Sequence, residues 1–252
     1  ALFPHMTVYE NLAFPLRVRK IPKDEADKKI DKALSMVSLH GFEARMPMQL
    51  SGGQQQRVAV ARSLVFDPQV VLMDEPLGAL DKNLRESMQY EIKHIHESIG
   101  VTVVYVTHDQ TEAMSMADKI VLMKDGRIQQ IGSPNELYNS PANTFVAGFI
   151  GAPAMALIES HILGGVEDGY KIGLRAENIS IVPKGEGKLS CNVTEVEFLG
   201  SETLIGLEHE GAIGLTVLQP GLLIIPLGQQ IDITFDDQHL HFFDSAGERL
   251  PG

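Results

Sequence analysis

Two acidic residues and one histidine follow short apolar runs, where they could act on a phosphate group. Asp74 and Glu75 end the run 70–73, and His108 ends the run 101–107. In open α/β sheets, ligands bind beyond the carboxyl ends of parallel strands. One carboxylate there could hold Mg²⁺, the other could deprotonate a water, and a neutral imidazole could contact phosphate and water together. An Asp-Glu pair by itself would more often simply begin a loop.

Residues 50–54 read LSGGQ and precede apolar residues at helical spacing, at positions 58, 61, 64 and 65. Gly52 and Gly53 have no side chains, so their backbone N–H groups could approach a phosphate closely. Ser51 adds a hydroxyl, and Gln54 opens a helix whose N-terminus favours an anion. SGGQ alone could equally be a flexible turn, whereas the longer run through residue 62 is highly specific.

These motifs, with PLGALD at residues 76–81, resemble the ATPase subunit of ABC transporters. The resemblance implies that residues 70–74 form the Walker B strand, with Asp74 as a Mg²⁺ ligand. It also implies that Glu75 is the catalytic base and that His108 is the switch histidine that contacts the γ-phosphate of ATP. The segment 76–81 then corresponds to the D-loop, which adds Asp81 to the nucleotide-binding residues.

In this family two ATPase subunits pack head to tail, with the signature of one facing the ATP of the other. By resemblance, a homodimer or a pair of related ATPase subunits is expected. The ATP-binding residues expected across that dimer interface are Ser51, Gly52, Gly53 and Gln54.

A phosphate-binding loop of the form GxxxxGK[ST] does not occur among the 252 residues. Gly187-Lys188 is followed by Leu189 and fails the pattern, as does the segment 164–169, which is expected to form a hairpin turn. The first residues resemble those that follow the family's Q-loop glutamine, so no residue is assigned to that role. We therefore expect an incomplete ABC ATPase domain that, as a polypeptide of these residues alone, is inactive because it lacks the phosphate cradle.

Residues 1–150 alternate helical patterns with short β-branched runs, which predicts an α/β domain with a helical subdomain and a parallel-sheet core. Helices are predicted over residues 23–39 and 80–99 from their apolar spacing. The near-continuous apolar runs 70–73 and 101–107 predict parallel strands buried on both faces. A hairpin is predicted over 120–131, and Ser133 with Glu136 predicts a capping box that begins a helix.

The composition changes near residues 151–153 toward glycine and short alternating runs, which places a domain boundary at residue 150. Residues 151–252 are predicted to form a small β-barrel or sandwich. The strand candidates are 173–182, 188–198, 203–207, 214–218 and 230–235. Residues 173–179 and 242–250 resemble the TOBE domain of importer ATPases, which implies a small, OB-like, all-β regulatory domain. A structural β-module that only helps dimerisation is the alternative.

The composition narrows the range of partners. The net charge of −12, from 33 acidic and 21 basic residues, argues against non-specific nucleic-acid binding. No apolar run reaches the roughly 18–20 residues that a membrane helix needs. Cys191 is the only cysteine, so an intrachain disulfide is impossible, and its alternating surroundings indicate a packing role.

The resemblance implies an ATP- and Mg²⁺-dependent subunit that energises solute import, peripheral to the cytoplasmic face of the inner membrane. Its expected partners are transmembrane permease subunits and, indirectly, an extracytoplasmic solute-binding protein. Phe3, Met6 and Val8 lie where the family's ATPase receives a permease helix, although core packing explains each of them equally well.

Two other functions remain open at this point: a soluble ABC-type ATPase that acts on ribosomes or DNA, and a catalytically incompetent piece that serves dimerisation or regulation. The acidic balance and the β domain argue against the first. For the solute, residues 80–94 look like polyamine importers, whereas residues 144–151 look more like sugar or glycerol-phosphate importers.

Overall fold

The computed structural model describes residues 2–78, 82–164 and 169–251, and only the backbone of Leu84 and Ile99. The chain forms two compact units, Ala1–Glu112 and Ala113–Gly252. The domain boundary at residue 150 was predicted from composition and motifs, whereas these two units are defined by compactness. The boundary therefore remains a prediction. The predicted hairpin turn at 164–169 falls largely outside the described residues.

The first unit begins with three helices, α1 (Val8–Val18), α2 (Lys23–Met36) and α3 (Gly52–Leu64), and a short 3-10 helix at Pro47–Gln49 precedes α3. The predicted helix over 23–39 is confirmed, and its four apolar positions are buried: Ala26, Ile30, Ala33 and Val37. The helix ends earlier than predicted, because Ser38 has a positive φ of 55°, which an α-helix cannot continue through.

Strands β1 (Val70–Asp74) and β2 (Thr102–Val106) pair in parallel, and the intervening helix is α4 (Lys82–Ile99). Asp74 lies opposite Val106 in this register, so both strands end at the same edge. The expectation that both faces of these strands are buried is wrong for the described residues. Val71 and Met73 are buried, whereas the opposite face exposes four apolar side chains: Val70, Leu72, Val104 and Val106.

The second unit starts within α5 (Gln110–Met116), which is followed by strands β3 (Ile120–Lys124) and β4 (Arg127–Gly132). These strands form the predicted hairpin, with Asp125 and Gly126 at positive φ in its two-residue turn. Helices α6 (Pro134–Asn139) and α7 (Thr144–Phe149) come next. The predicted capping box is confirmed, since the Glu136 N–H donates to Ser133 Oγ and the Ser133 N–H donates to a Glu136 carboxylate oxygen.

Two antiparallel sheets make up the rest of the second unit and share one apolar core. The four-stranded sheet has the order β10-β5-β6-β13, and the five-stranded sheet has the order β11-β9-β8-β12-β7. The strands are β5 (Ala156–Glu159), β6 (Lys171–Leu174), β7 (Ile179–Val182), β8 (Leu189–Phe198), β9 (Glu202–Glu208), β10 (Ala212–Ile213), β11 (Thr216–Pro220), β12 (Gln230–Phe235) and β13 (His241–Phe243).

The predicted strand 173–182 is instead two strands in different sheets, β6 and β7. The chain breaks at Arg175, whose side chain is buried and donates to the Ile150 and Tyr138 carbonyl oxygens. Cys191 is 1% exposed, which confirms its packing role, and burial raises the pKa of its thiol to about 11. Over residues 2–78, 82–164 and 169–251, the helices are too short or too polar to cross a membrane.

Candidate active site

The carboxyl end of β1 turns sharply at Glu75. Its backbone N–H donates to the Val106 carbonyl at 2.9 Å, which continues the pairing of β1 with β2 by one residue. Glu75 then adopts a φ of 42°, a left-handed conformation that costs a non-glycine residue about 1 kcal/mol. The Gly78 N–H donates to the Glu75 carbonyl and closes the turn. Backbone contacts therefore fix where the Glu75 side chain begins.

The structure brings Glu75 and His108 together. His108 Nδ1 lies 3.1 Å from Glu75 Oε1, and their side chains are 75% and 56% exposed. A hydrogen bond between these atoms requires a proton on Nδ1, which leaves Nε2 as an acceptor in the neutral ring and a second donor in the charged ring. His108 can therefore donate to a phosphate only when it is doubly protonated or when it releases Glu75.

Asp74 is exposed at the last position of β1, directly before Glu75. In the part of the chain that the structure describes, no three His, Cys, Asp or Glu side chains group closely enough to hold a metal ion. Mg²⁺ commonly takes one or two protein carboxylates and completes its coordination with water and substrate phosphates, so the donor chemistry of the exposed Asp74 carboxylate fits this ion. Asp81 lies outside the described residues.

Helix α3 begins at Gly52, with Ser51 as its N-cap, two residues earlier than the predicted start at Gln54. Ser51 Oγ accepts from the Gln54 N–H at 3.3 Å, and Gln54 Oε1 accepts from the Ser51 N–H at 3.0 Å. Gly52 and Gly53 thus lie in the first turn, where N–H groups have no acceptor within the helix and can bind an anion. Ser51 and Gly52 are exposed, whereas Gly53 is buried.

A contact that the sequence analysis missed joins the signature helix to the end of β1. Gln56, in α3, donates a side-chain hydrogen bond to the carbonyl oxygen of Pro76, the residue after Glu75. The next residue, Arg57, forms an ion pair with Glu91 of α4. The glutamines at 54–56 are polar, but their residue type does not show whether a side chain binds a backbone group or faces solvent.

A second group of contacts missed by the sequence analysis surrounds His108. Glu112 is 3% exposed, and its Oε2 accepts from the Tyr105 hydroxyl at 2.9 Å and the Thr107 hydroxyl at 2.7 Å. Burial and the nearby Glu112 carboxylate raise the pKa of the Tyr105 hydroxyl. Arg85 of α4 donates to Asp109 Oδ2 at 3.2 Å. The sequence signal was the dense run of polar residues 107–112.

The three residues expected near a permease helix differ in how far they are buried. Val8 is fully buried in α1, which supports core packing, whereas Phe3 and Met6 are half-buried. Asn11, also fully buried, holds the segment before α1: its side-chain amide donates to the Phe3 and Met6 carbonyls, and its carbonyl accepts from the Phe3 N–H.

Comparison with known proteins finds a family match in the N-terminal part of the chain and another in the C-terminal part. The ABC transporter family model matches residues 1–78, and the TOBE domain model matches residues 172–243. The trehalose/maltose import ATP-binding protein MalK of Thermococcus litoralis is 39% identical over 280 residues, covering 98% of this chain and 74% of that protein. The spermidine/putrescine import ATP-binding protein PotA of Clostridioides difficile is 46% identical over 236 residues, covering 84% of this chain and 66% of that protein.

A solved structure agrees with these matches. The structure of cbiO1 from Clostridium perfringens, described as part of the ABC transporter complex cbiONQ, has a TM-score of 0.51 and 31% identity over 55% of each chain. The fold and the paired strand ends thus define an ABC ATPase. The chain belongs to the importer-type ATP-binding subunits of ABC transporters, with a C-terminal TOBE domain. The predicted fold class, an α/β ABC ATPase region followed by a small all-β domain, is confirmed.

Proposed function

We propose that this protein hydrolyses ATP to energise solute import, with Glu75 as the base that activates water and Asp74 as the protein ligand of Mg²⁺. The observation that carries the proposal is the 3.1 Å contact between Glu75 and His108 at the ends of two parallel strands. Both side chains are exposed, the Glu75 N–H is bonded to the Val106 carbonyl, and His108 follows the end of β2 by two residues. Such an edge can receive a phosphate and a water together.

In this proposal the chain's own residues divide the work. Glu75 takes a proton from the attacking water, and its fixed backbone limits the positions that its carboxylate can reach. His108 binds the γ-phosphate through Nε2, and this contact couples the state of the nucleotide to Glu75. Mg²⁺ bound with ATP neutralises charge on the phosphates, and Asp74 is the carboxylate available to hold it.

We also propose that Ser51, Gly52, Gly53 and Gln54 bind the ATP of a second subunit, and that Asp81 belongs to the same interface. The exposed N-terminus of α3 supports this, because its first-turn N–H groups and the Ser51 hydroxyl can meet a phosphate. A polypeptide of these 252 residues alone would not hydrolyse ATP, since the Lys and backbone cradle for the β- and γ-phosphates is not among them.

The proposed partners are transmembrane permease subunits, and through them an extracytoplasmic solute-binding protein, at the cytoplasmic face of the inner membrane. The proposed solute is a polyamine or a sugar, which the similarity to PotA and MalK supports. Uptake of radiolabelled spermidine and maltose by a deletion strain separates the two classes. Copurification of the tagged protein with ribosomes or DNA in place of permease subunits would instead favour the soluble ATPase.

The direct test is Glu75→Gln in the full-length protein. We expect the variant to bind ATP with Mg²⁺ and accumulate as a dimer, because hydrolysis no longer removes the nucleotide from the interface. Light scattering after gel filtration with ATP measures the dimer, and phosphate release measures turnover. The matched control is Glu97→Gln, which changes an exposed glutamate of α4. Wild-type turnover by Glu75→Gln would remove Glu75 from the base role.

A further inference from the structure

His108 is held from both sides by a hydrogen-bonded chain of neighbouring residues. The Thr107 hydroxyl donates to Glu112 Oε2 at 2.7 Å and accepts from the Asp109 N–H at 3.0 Å. A hydroxyl has one proton, so the bond to Glu112 directs that proton away from Asp109 and turns a lone pair toward its N–H. The Glu112 carboxylate therefore orients the contact that spans His108.

Asp109 completes the arrangement on the other side of the histidine. Its Oδ1 accepts from the Thr111 N–H at 2.8 Å and the Glu112 N–H at 3.3 Å, at the start of α5. Its Oδ2 accepts from Arg85, whose Nε lies 4.0 Å from Glu112 Oε1. The backbone on both sides of His108 is thus tied to α4 and α5, while the imidazole remains 75% exposed.

Packing alone does not account for a carboxylate at position 112. Glu112 is 3% exposed, and replacing a buried ion pair as a whole by apolar side chains of similar volume is often neutral or stabilising, so burial by itself does not favour a carboxylate here. Its two hydroxyl partners, Tyr105 and Thr107, both lie on the segment that leads into His108. The buried charge is therefore directed at this segment.

We propose that Glu112 is a positioning residue for His108: it orients the Thr107 hydroxyl, and thereby fixes the backbone that holds the imidazole against Glu75. This proposal rests on the proposed ATPase function. Glu112 does not touch the reacting atoms and acts only through Thr107 and Asp109. Loss of this support leaves ATP binding intact but allows the imidazole to leave its contact with Glu75.

The experiment compares substitutions of Thr107 in the full-length protein. Thr107→Val keeps the side-chain shape and removes the hydroxyl, and it should lower kcat for ATP by up to about 100-fold with KM unchanged, as small misplacements of catalytic groups do. Thr107→Ser restores the hydroxyl and should restore kcat. Tyr105→Phe is the matched control, because it removes the other donor to Glu112 while leaving the contact across His108, and its kcat should stay near wild type.

A double-mutant cycle separates positioning from general stability. In a His108→Ala background, Thr107→Val and Glu112→Met should cause no further loss of kcat, because the residue that they position is gone. If either substitution lowers kcat by the same factor in the His108→Ala background as in the wild type, the proposal is overturned. If His108→Ala itself turns over at the wild-type rate, the proposed role of His108 in hydrolysis has failed, and the next measurement decides the positioning role.

That measurement uses NMR of isotope-labelled histidine rings and does not depend on turnover. The His108 signal is assigned by its loss in His108→Ala. In the wild type, Glu75→Gln should shift this signal, because the two side chains are in contact at 3.1 Å. In the Thr107→Val and Glu112→Met proteins, which lack the donor and the acceptor of the Thr107–Glu112 bond, the same Glu75 change should no longer shift it. An undiminished response in both would show that Glu112 does not position His108.

Discussion

The Glu75–His108 pair and the Arg175 cluster differ in how far their side chains are exposed and free to bind a ligand. Glu75 and His108 are 56% and 75% exposed and share one contact. Arg175 is 2% exposed, donates to the carbonyl oxygens of Tyr138 and Ile150, and stacks over the Tyr138 ring with 4.0 Å between the guanidinium carbon and the ring centroid. The first cluster retains hydrogen-bonding capacity for a ligand, whereas the second directs both terminal nitrogens of Arg175 to carbonyl oxygens within the fold and leaves its buried Nε without a hydrogen-bond partner among the described residues.

The difference follows from how each cluster is held. At the strand ends, a backbone hydrogen bond holds Glu75, and the Thr107 hydroxyl holds the segment around His108. Both side chains remain in water, where a solvated charge needs no partner. Arg175 is desolvated, and this burial lowers the pKa of its guanidinium. Unpaired buried charge is strongly unfavourable, so its carbonyl acceptors are required. The contrast predicts that substitutions in the first cluster reduce activity and substitutions in the second reduce stability.

The largest expected effect is on turnover, from His108→Ala. Removing one group that stabilises the transition state typically lowers kcat by about 100-fold or more. The melting temperature should not change, because the ring is exposed. The control is His94→Ala, an exposed histidine of α4, which should leave both quantities unchanged. A clearly lower melting temperature for His108→Ala would contradict the prediction that substitutions in the first cluster affect activity and not stability.

Arg175→Met should have the largest effect on stability. It leaves the carbonyls of Tyr138 and Ile150 without their donor inside the fold, and we expect a loss of about 3 kcal/mol in the free energy of unfolding. Urea denaturation measures this loss. Arg127→Met changes an exposed arginine and serves as the control. Equal stability of the two variants would contradict the structural role of Arg175.

Two serines with the same capping geometry allow a finer comparison. Ser51 and Ser133 each cap a helix within a capping box, so alanine at either position should destabilise the protein by about 1 kcal/mol. Only Ser51→Ala should also reduce ATP turnover, since its hydroxyl is proposed to meet nucleotide. Urea denaturation and ATPase assays on both variants test this. Unchanged turnover in Ser51→Ala would remove Ser51 from the site.

The smallest expected effect concerns the pH dependence of stability. Burial, and secondarily the charge of Arg249, lowers the pKa of His241 from 6.5 to about 4. Between these values the unfolded chain binds the proton and the native protein does not, so the free energy of unfolding falls as the pH falls. His241→Gln should flatten this slope, whereas His239→Gln, at an exposed position, should not. Melting curves from pH 4 to 7 measure both slopes.

The sequence predicted elements where local patterns decide the structure. The apolar spacing at Ile30 and Ala33 and the capping residues Ser133 and Glu136 each act within one element, and each was confirmed. The break at Arg175 was missed, because the acceptors that bury its guanidinium lie 25 and 37 residues away along the chain. A residue pattern carries no information about such distant partners.

The candidate site shows the same limit. Strand pairing at the ends of the apolar runs, which places Glu75 near His108, followed from the motifs and the family resemblance. The positive φ of Glu75, the burial of Glu112 and the bond from Gln56 to the Pro76 carbonyl did not. Each depends on tertiary contacts between polar residues, whose types are equally compatible with solvent exposure.

The close approach of Gly151 to Arg175 makes the Arg175 cluster sensitive to mutation at a second position. The φ of Gly151 is 108°, and a Cβ at this position would lie 2.7 Å from Arg175 Nη1 and 3.1 Å from the Tyr138 ring. A side chain here would require the guanidinium or the ring to move and would hold the backbone at a φ that favours glycine. In a saturation-mutagenesis screen, replacements at position 151 should therefore lower stability. Its variants should reproduce the phenotype of losing an arginine 24 codons further along the gene.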